Sequence, residues 1–192
     1  MRKTQNTIAL RRACVCSLFA ALLCILSPFA IPIGPVPVSL SLFAVLLCAA
    51  LLGPISASIS VSVYLLLGAV GLPVFSSGMG GFGVLIGPTG GYLWSYLPMC
   101  LLSGVLYRVL FRKKLQGWMK KTILGFLTGL PGLMVCYLLG TIQYMLVARV
   151  SFGTAIVICV LPFLLFDLLK ILLVGILAHR LHRIPSVQKI FY

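Results

Sequence analysis

Thr154-Ala-Ile-Val-Ile-Cys-Val-Leu-Pro-Phe-Leu-Leu-Phe-Asp-Leu-Leu-Lys-Ile-Leu-Leu-Val-Gly-Ile-Leu-Ala-His179 is the stretch that decides the fold. Its only charged residues are Asp167 and Lys170. A helix crossing the ~30 Å hydrocarbon core of a bilayer needs about 20 mostly apolar residues. The run therefore predicts a membrane-spanning helix over 154–179. Working back along the chain, five further apolar runs lie at about 13–29, 40–52, 55–70, 92–111 and 122–148. The expectation is an all-α integral membrane protein, a single domain over 1–192, with six transmembrane helices.

Composition agrees. Of 192 residues, 61% are hydrophobic and 8% charged, where a soluble domain has about 25% charged residues. Lys and Arg number 15 against a single acid. One carboxylate excludes the paired acids of a glycosidase and a carboxylate-built metal site. No G-x-x-x-x-G-K-[ST] occurs, so no Walker-type nucleotide loop is expected.

A net charge of +14 invites a nucleic-acid reading, but the positions of the cations point to a membrane instead. Arg2, Lys3, Arg11 and Arg12 precede the first run. Arg108, Arg112, Lys113, Lys114, Lys120 and Lys121 flank the central break. Arg180, Arg183 and Lys189 follow the last run, and only Arg149 and Lys170 lie elsewhere. With six spans and both termini cytoplasmic, all the flanking cations fall inside and Arg149 alone falls outside, as the positive-inside bias requires. An odd number of spans would put one basic cluster on the wrong face. The basic N-terminus followed by an apolar run resembles a signal peptide, yet no small-x-small cleavage site precedes Pro28. It is expected to be the first span.

The outer side then receives 28–39, 71–91 and 149–153. The first two are rich in Gly and Pro, and segments such as Gly71-Leu-Pro-Val-Phe75 and Phe82-Gly-Val-Leu-Ile-Gly87 are too apolar for ordinary surface loops. Irregular backbone at membrane depth persists only where protein buries it or a cavity hydrates it. These extracytoplasmic loops are expected to fold back as a ligand lid, and 71–91 is expected to be non-helical.

Asp167 and Lys170 are three residues apart, on one helix face and about 4.5 Å apart along the axis. Ionisable residues inside a span are expensive and point to function; the alternative is an ion pair that fixes packing. Gly87-Pro-Thr-Gly90-Gly91-Tyr92 opens the fourth span, where backbone N–H groups at a helix start can meet a polar group. Gln143 is a polar residue within the fifth span. Trp94 reads as an interfacial belt residue and His179 as a residue of the inner membrane edge. Small residues at Ala13, Ser17 and Ala21 recur every four residues and let another helix approach closely. The seven cysteines lack metal spacing and read as packing residues.

Several stretches resemble a known family: Tyr64-Leu-Leu-Leu-Gly-Ala-Val-Gly-Leu-Pro-Val-Phe75, Gly87-Pro-Thr-Gly-Gly-Tyr-Leu93, Val36-Pro-Val-Ser-Leu40, and Pro162-Phe163 with Asp167 and Lys170. Over nearly its whole length the chain resembles the BioY family, the biotin-specific S components of energy-coupling-factor (ECF) transporters. The resemblance implies a six-helix protein of a bacterial-type cytoplasmic membrane that captures biotin from outside. It implies no enzyme activity and no cofactor beyond the ligand. The implied partners are a transmembrane coupling subunit and two ATPase subunits, which bind the ATP, within a lipid membrane and without nucleic acid. Asp167 and Lys170 match the family's biotin site, and Ser17 with Ala21 match its A-x-x-x-A docking face on helix one. Tyr92 and Phe75 are the expected walls for the biotin rings. Three departures bear on the pocket: Ser41 replaces a Gln, Gln143 stands where a Trp is frequent, and Phe166 stands where a small residue is common.

Other readings stay open at this point. The same architecture can serve another small vitamin or a biotin precursor. The chain can be an intramembrane enzyme built on Asp167, Lys170 and a histidine, or a structural membrane subunit with no ligand.

Overall fold

A computed structural model describes the backbone of residues 2–32, 36–111 and 118–181, with side chains described from residue 9 and omitted at 110 and 111. The side chains of Arg2 and Lys3, the cations Arg112, Lys113 and Lys114, and residues 182–192 with His182, Arg183 and Lys189 lie outside the described residues.

The chain runs α1 (Arg2–Leu26), β1 (Ala30–Ile31), β2 (Val38–Ser39), α2 (Ser41–Ala69), a 3-10 turn (Ser76–Gly78), α3 (Phe82–Ile86), α4 (Gly90–Phe111), α5 (Trp118–Ala148), α6 (Phe152–Cys159) and α7 (Leu161–Leu181). β1 and β2 pair antiparallel, Ala30 opposite Ser39 and Ile31 opposite Val38. Helix α2 packs on α1, α4 and α7, while α5 joins α4 to α7. By length and composition four segments can cross a membrane: Ala9–Leu26, Ser41–Ala69, Trp118–Ala148 and Leu161–Leu181. Large apolar side chains stand exposed on their outer faces, Leu18, Ile55, Leu146 and Leu165 among them. Such a surface suits lipid rather than water. The chain is a multi-pass membrane protein.

Helix α2 is not straight. Gly53 has φ 73° and ψ 178°, and Pro54 offers no N–H to continue the ladder. Leu42, near the start of α2, and Phe75, just beyond its end, wall one cavity, and the Phe75 ring packs on Gly68. An unbroken helix would hold positions 42 and 68 about 39 Å apart. α2 therefore doubles back at Gly53, with both its ends beside the cavity. The turn lies at the other end of the bundle, beside Gly104, where an added Cβ would come 2.8 Å from Pro54 Cα.

Two expectations are corrected. The run 154–179 is not one helix. Ser151 caps α6, its side chain accepting from the Thr154 N–H at 3.3 Å. Val160 then leaves the helical region (φ −121°, ψ −54°) and α7 restarts at Leu161. Pro162 accounts for the break, since it lacks an N–H and its ring opposes the carbonyl four residues back. The segment 71–91 is not wholly irregular either, because it contains the 3-10 turn and α3. His179 is buried in α7.

The bundle has two chemically distinct ends. Tyr107 Oη donates to the Gly125 carbonyl at 2.9 Å, and a Cβ on Gly125 would lie 2.8 Å from Gly175 Cα. Arg12 and Arg108 wall one pocket at the α2 turn. These contacts gather Arg12, Arg108, Lys120, Lys121 and Arg180 toward one end, and Arg149 follows the far end of the 31-residue α5.

Candidate ligand-binding site

At the end opposite the α2 turn, α4, α5, α6 and α7 meet the two long connections around a cavity of about 60 Å³. Val36, Val38 and Ser39 of the first connection line it, as do Phe75, Met79 and Val84 of the second. Tyr92 and Tyr96 come from α4, Cys136 and Tyr137 from α5, and Phe163, Asp167 and Lys170 from α7. The walls are mostly aromatic and aliphatic, with polar groups gathered on one side. This is the composition of small-molecule sites.

The charged pair is the centre of that polar side. Lys170 Nζ donates to Asp167 Oδ1 at 2.8 Å and to the Ser39 carbonyl at 2.8 Å. Tyr137 Oη donates to Asp167 Oδ2 at 2.7 Å. Both charged side chains are about nine-tenths buried. Removing an ion from water costs several kcal/mol even after relaxation, so the pair persists because each charge has a partner. Among the described contacts, two of the three Lys170 donors are used, and each Asp167 oxygen accepts once. Spare capacity of both signs remains for a polar ligand.

The aromatic walls are held by their own contacts. Phe75 is buried and meets the edge of Tyr64 at a centroid distance of 5.6 Å and an interplanar angle of 82°. Tyr64 in turn hydrogen-bonds Ser27 through the two hydroxyls at 2.6 Å. Tyr92 Oη donates to the Cys159 carbonyl at 3.3 Å, tying α4 to the end of α6.

Gly90, Gly91 and Gln143 are brought together, but not on the cavity wall. The Gly90 N–H is taken by the Gly87 carbonyl at 3.0 Å. A Cβ at Gly91 would lie 2.6 Å from the Leu139 carbonyl and 2.7 Å from Gln143 Cβ. Gly91 therefore lets the start of α4 touch α5. Gln143 Nε2 donates to the carbonyls of Leu85 and Gly87 at 3.0 and 2.9 Å, so its amide fastens α3 to α5. Trp94 is part-exposed but also donates to the Leu85 carbonyl, at 3.2 Å. Ser41 bonds Ser39 and Tyr96, beside the cavity rather than in its wall. Sequence reasoning missed Tyr137, Ser39 and Tyr96. A tyrosine deep within a span, far from either interface, was the available signal for Tyr137.

Ala13, Ser17 and Ala21 are all exposed on α1, while Cys16, Ala20 and Leu23 face the core. The small-residue face is thus turned away from the bundle. Among the described residues no cluster of His, Cys, Asp or Glu could hold a metal, and no disulfide forms among the cysteines.

Comparison with known proteins places this geometry. The chain is 36% identical over 183 residues to biotin transporter BioY2 of Lactococcus lactis subsp. cremoris, covering 95% of each chain. It is 34% identical over 175 residues to biotin transporter BioY of Thermotoga maritima, covering 91% of this chain and 98% of that one. The crystal structure of the S-component for biotin from an ECF-type ABC transporter superposes with a TM-score of 0.85 at 28% identity, over 97% of this chain and 98% of that chain. The sequence matches the BioY family across residues 1–186, and the chain belongs to that family.

Proposed function

We propose that the chain captures biotin from outside the cell and passes it inward as the S component of an ECF transporter. One observation carries this reading: a buried Asp167–Lys170 pair with spare donor and acceptor capacity beside an otherwise apolar, aromatic cavity. Biotin has a planar ureido group with two N–H donors and a carbonyl, an apolar thioether ring, and a carboxylated tail. Asp167 accepts from the ureido N–H groups or Lys170 donates to a biotin oxygen, with Tyr137 and the Ser39 carbonyl holding the two charges in place. Phe75 and Tyr92 wall the rings. The protein binds and moves its substrate and is not an enzyme. His179, twelve residues beyond Asp167 on α7, is about 18 Å away along the axis, too far for acid–base partnership.

The two long connections form one side of the cavity through Val36, Val38, Ser39, Phe75, Met79 and Val84. They act as the lid. The doubling of α2 supports six crossings: α1, the two halves of α2, α4, α5, and α6 with α7. The cation-rich end faces the cytoplasm together with both termini, and the cavity opens outward across the cytoplasmic membrane. The exposed Ala13, Ser17 and Ala21 face receives the transmembrane coupling subunit, whose two ATPase subunits bind the ATP. Capture itself needs no cofactor.

Ser41 and Gln143, the departures that favour a different vitamin, do not line the cavity, so they give no reason to change the ligand. Calorimetric titration of biotin into the detergent-purified chain, without nucleotide, tests the assignment. One-to-one submicromolar binding is expected, with desthiobiotin weaker and thiamine and riboflavin inert. Folded protein that ignores biotin but binds another member of that panel overturns the ligand and keeps the transporter.

A further inference from the structure

The α2 turn forms a second site, at the end of the bundle away from the ligand cavity. A pocket of about 270 Å³ lies between α1, the Gly53-Pro54 turn and α4, with Arg12 and Arg108 in its wall. It shares Arg12, Cys16, Ile55 and Ser56 with a groove of about 480 Å³ that continues along Ala9, Ala13 and Ile59. Ile55 and Ile59 are exposed along that groove. A cationic pocket therefore opens directly into an apolar channel on the outer surface of the bundle.

The charges here have no counter-charge among the protein's side chains. The sequence contains one acidic residue, Asp167, and it is engaged by Lys170 and Tyr137 at the other end of the bundle. No acidic side chain of this protein is available to neutralise Arg12 and Arg108. Two guanidinium groups match the oxygens of a phosphate through paired N–H donors. A basic pocket between transmembrane helices, next to an apolar groove, matches an anionic lipid at both its ends.

We propose that this pocket binds the phosphate headgroup of an anionic phospholipid, with one acyl chain lying along Ala9, Ala13, Ile55 and Ile59. The inference rests on the multi-pass fold and is independent of the biotin reading. Ala13 belongs both to this groove and to the small-residue face of α1, so a bound lipid covers part of that face.

Native mass spectrometry of the full chain in neutral detergent tests it, with dioleoyl phosphatidylglycerol, dioleoyl phosphatidylcholine and glycerol phosphate as probes. One phosphatidylglycerol per chain is expected, retained at least tenfold more tightly than phosphatidylcholine, and glycerol phosphate should not displace it at matched concentration. Arg12→Gln and Arg108→Gln should each weaken retention about tenfold, Arg12→Lys should weaken it less because it keeps the charge but loses the paired donors, and Arg149→Gln should change it little. Ile59→Trp, a change on the exposed groove, should lower retention with both arginines intact. Equal retention of the two lipids, or an Arg12→Gln/Arg108→Gln double variant that binds like the wild type, overturns the proposal. Displacement by glycerol phosphate at matched concentration, or unaltered binding in Ile59→Trp, overturns the acyl groove and leaves a simple phosphate site.

Discussion

Asp167 accepts from two donors, and the two can be separated. Tyr137→Phe removes one hydrogen bond to a carboxylate, a bond worth about 1.5–3 kcal/mol. Biotin affinity should fall by roughly ten- to a hundredfold while the chain still folds, read by calorimetry beside a melting curve. Asp167→Asn leaves the Lys170 ammonium buried without its counter-charge, a loss of about 3–5 kcal/mol. It should abolish measurable biotin binding and lower the melting temperature. Replacing both members, Asp167→Leu with Lys170→Met, should restore stability but not binding, because an apolar pair of similar size is tolerated where half an ion pair is not. A double variant as unstable as Asp167→Asn would show that the pair is needed for the fold itself. The pair was legible in the sequence because ionisable residues stand out in an apolar run. Ser39 was not, because it acts through its backbone carbonyl, which any residue supplies.

At the scale of elements, the α2 turn and the α3 fastening make separate predictions. Gly53 sits at φ 73°, ψ 178°, a region open essentially to glycine alone and costing other residues about 1–3 kcal/mol. No atom lies within 4 Å of a Cβ added there, so Gly53→Ala isolates backbone strain from crowding. It should lower the melting temperature in detergent and leave the biotin affinity of the folded fraction unchanged. Gln143→Leu removes the amide donor from the Leu85 and Gly87 carbonyls and leaves Trp94 alone on Leu85 among the described side chains. Biotin should then dissociate several-fold faster, measured by chase with unlabelled ligand, with little change in melting. An unchanged dissociation rate would mean that α3 does not move on release. The Gly53-Pro54 break could be read from residue types, since no helix passes smoothly through that pair. The break at Val160 could not, because one proline within a long apolar run also suits a continuous kinked span.

For the whole molecule, the segregation of charge makes the orientation testable. A fluorescent protein fused after Tyr192 should mature and emit in intact cells, and the same fusion placed after Arg149 should stay dark. The membrane class was legible because 15 cations against one acid, held between apolar runs, suit few other folds. How the two long connections reach the cavity was not, since that depends on contacts such as Lys170 with the Ser39 carbonyl, 131 residues apart.

The Asp167–Lys170 pair has an electrical consequence. Its two opposite charges cancel within the site. Loaded with biotin, whose tail is ionised, it carries one extra negative charge. Moving that charge toward an inside-negative cytoplasm costs about 2.3 kcal/mol per 100 mV. Uptake of the biotin anion should therefore be electrogenic, and dissipating the voltage should raise the inward rate wherever movement of that charge limits uptake.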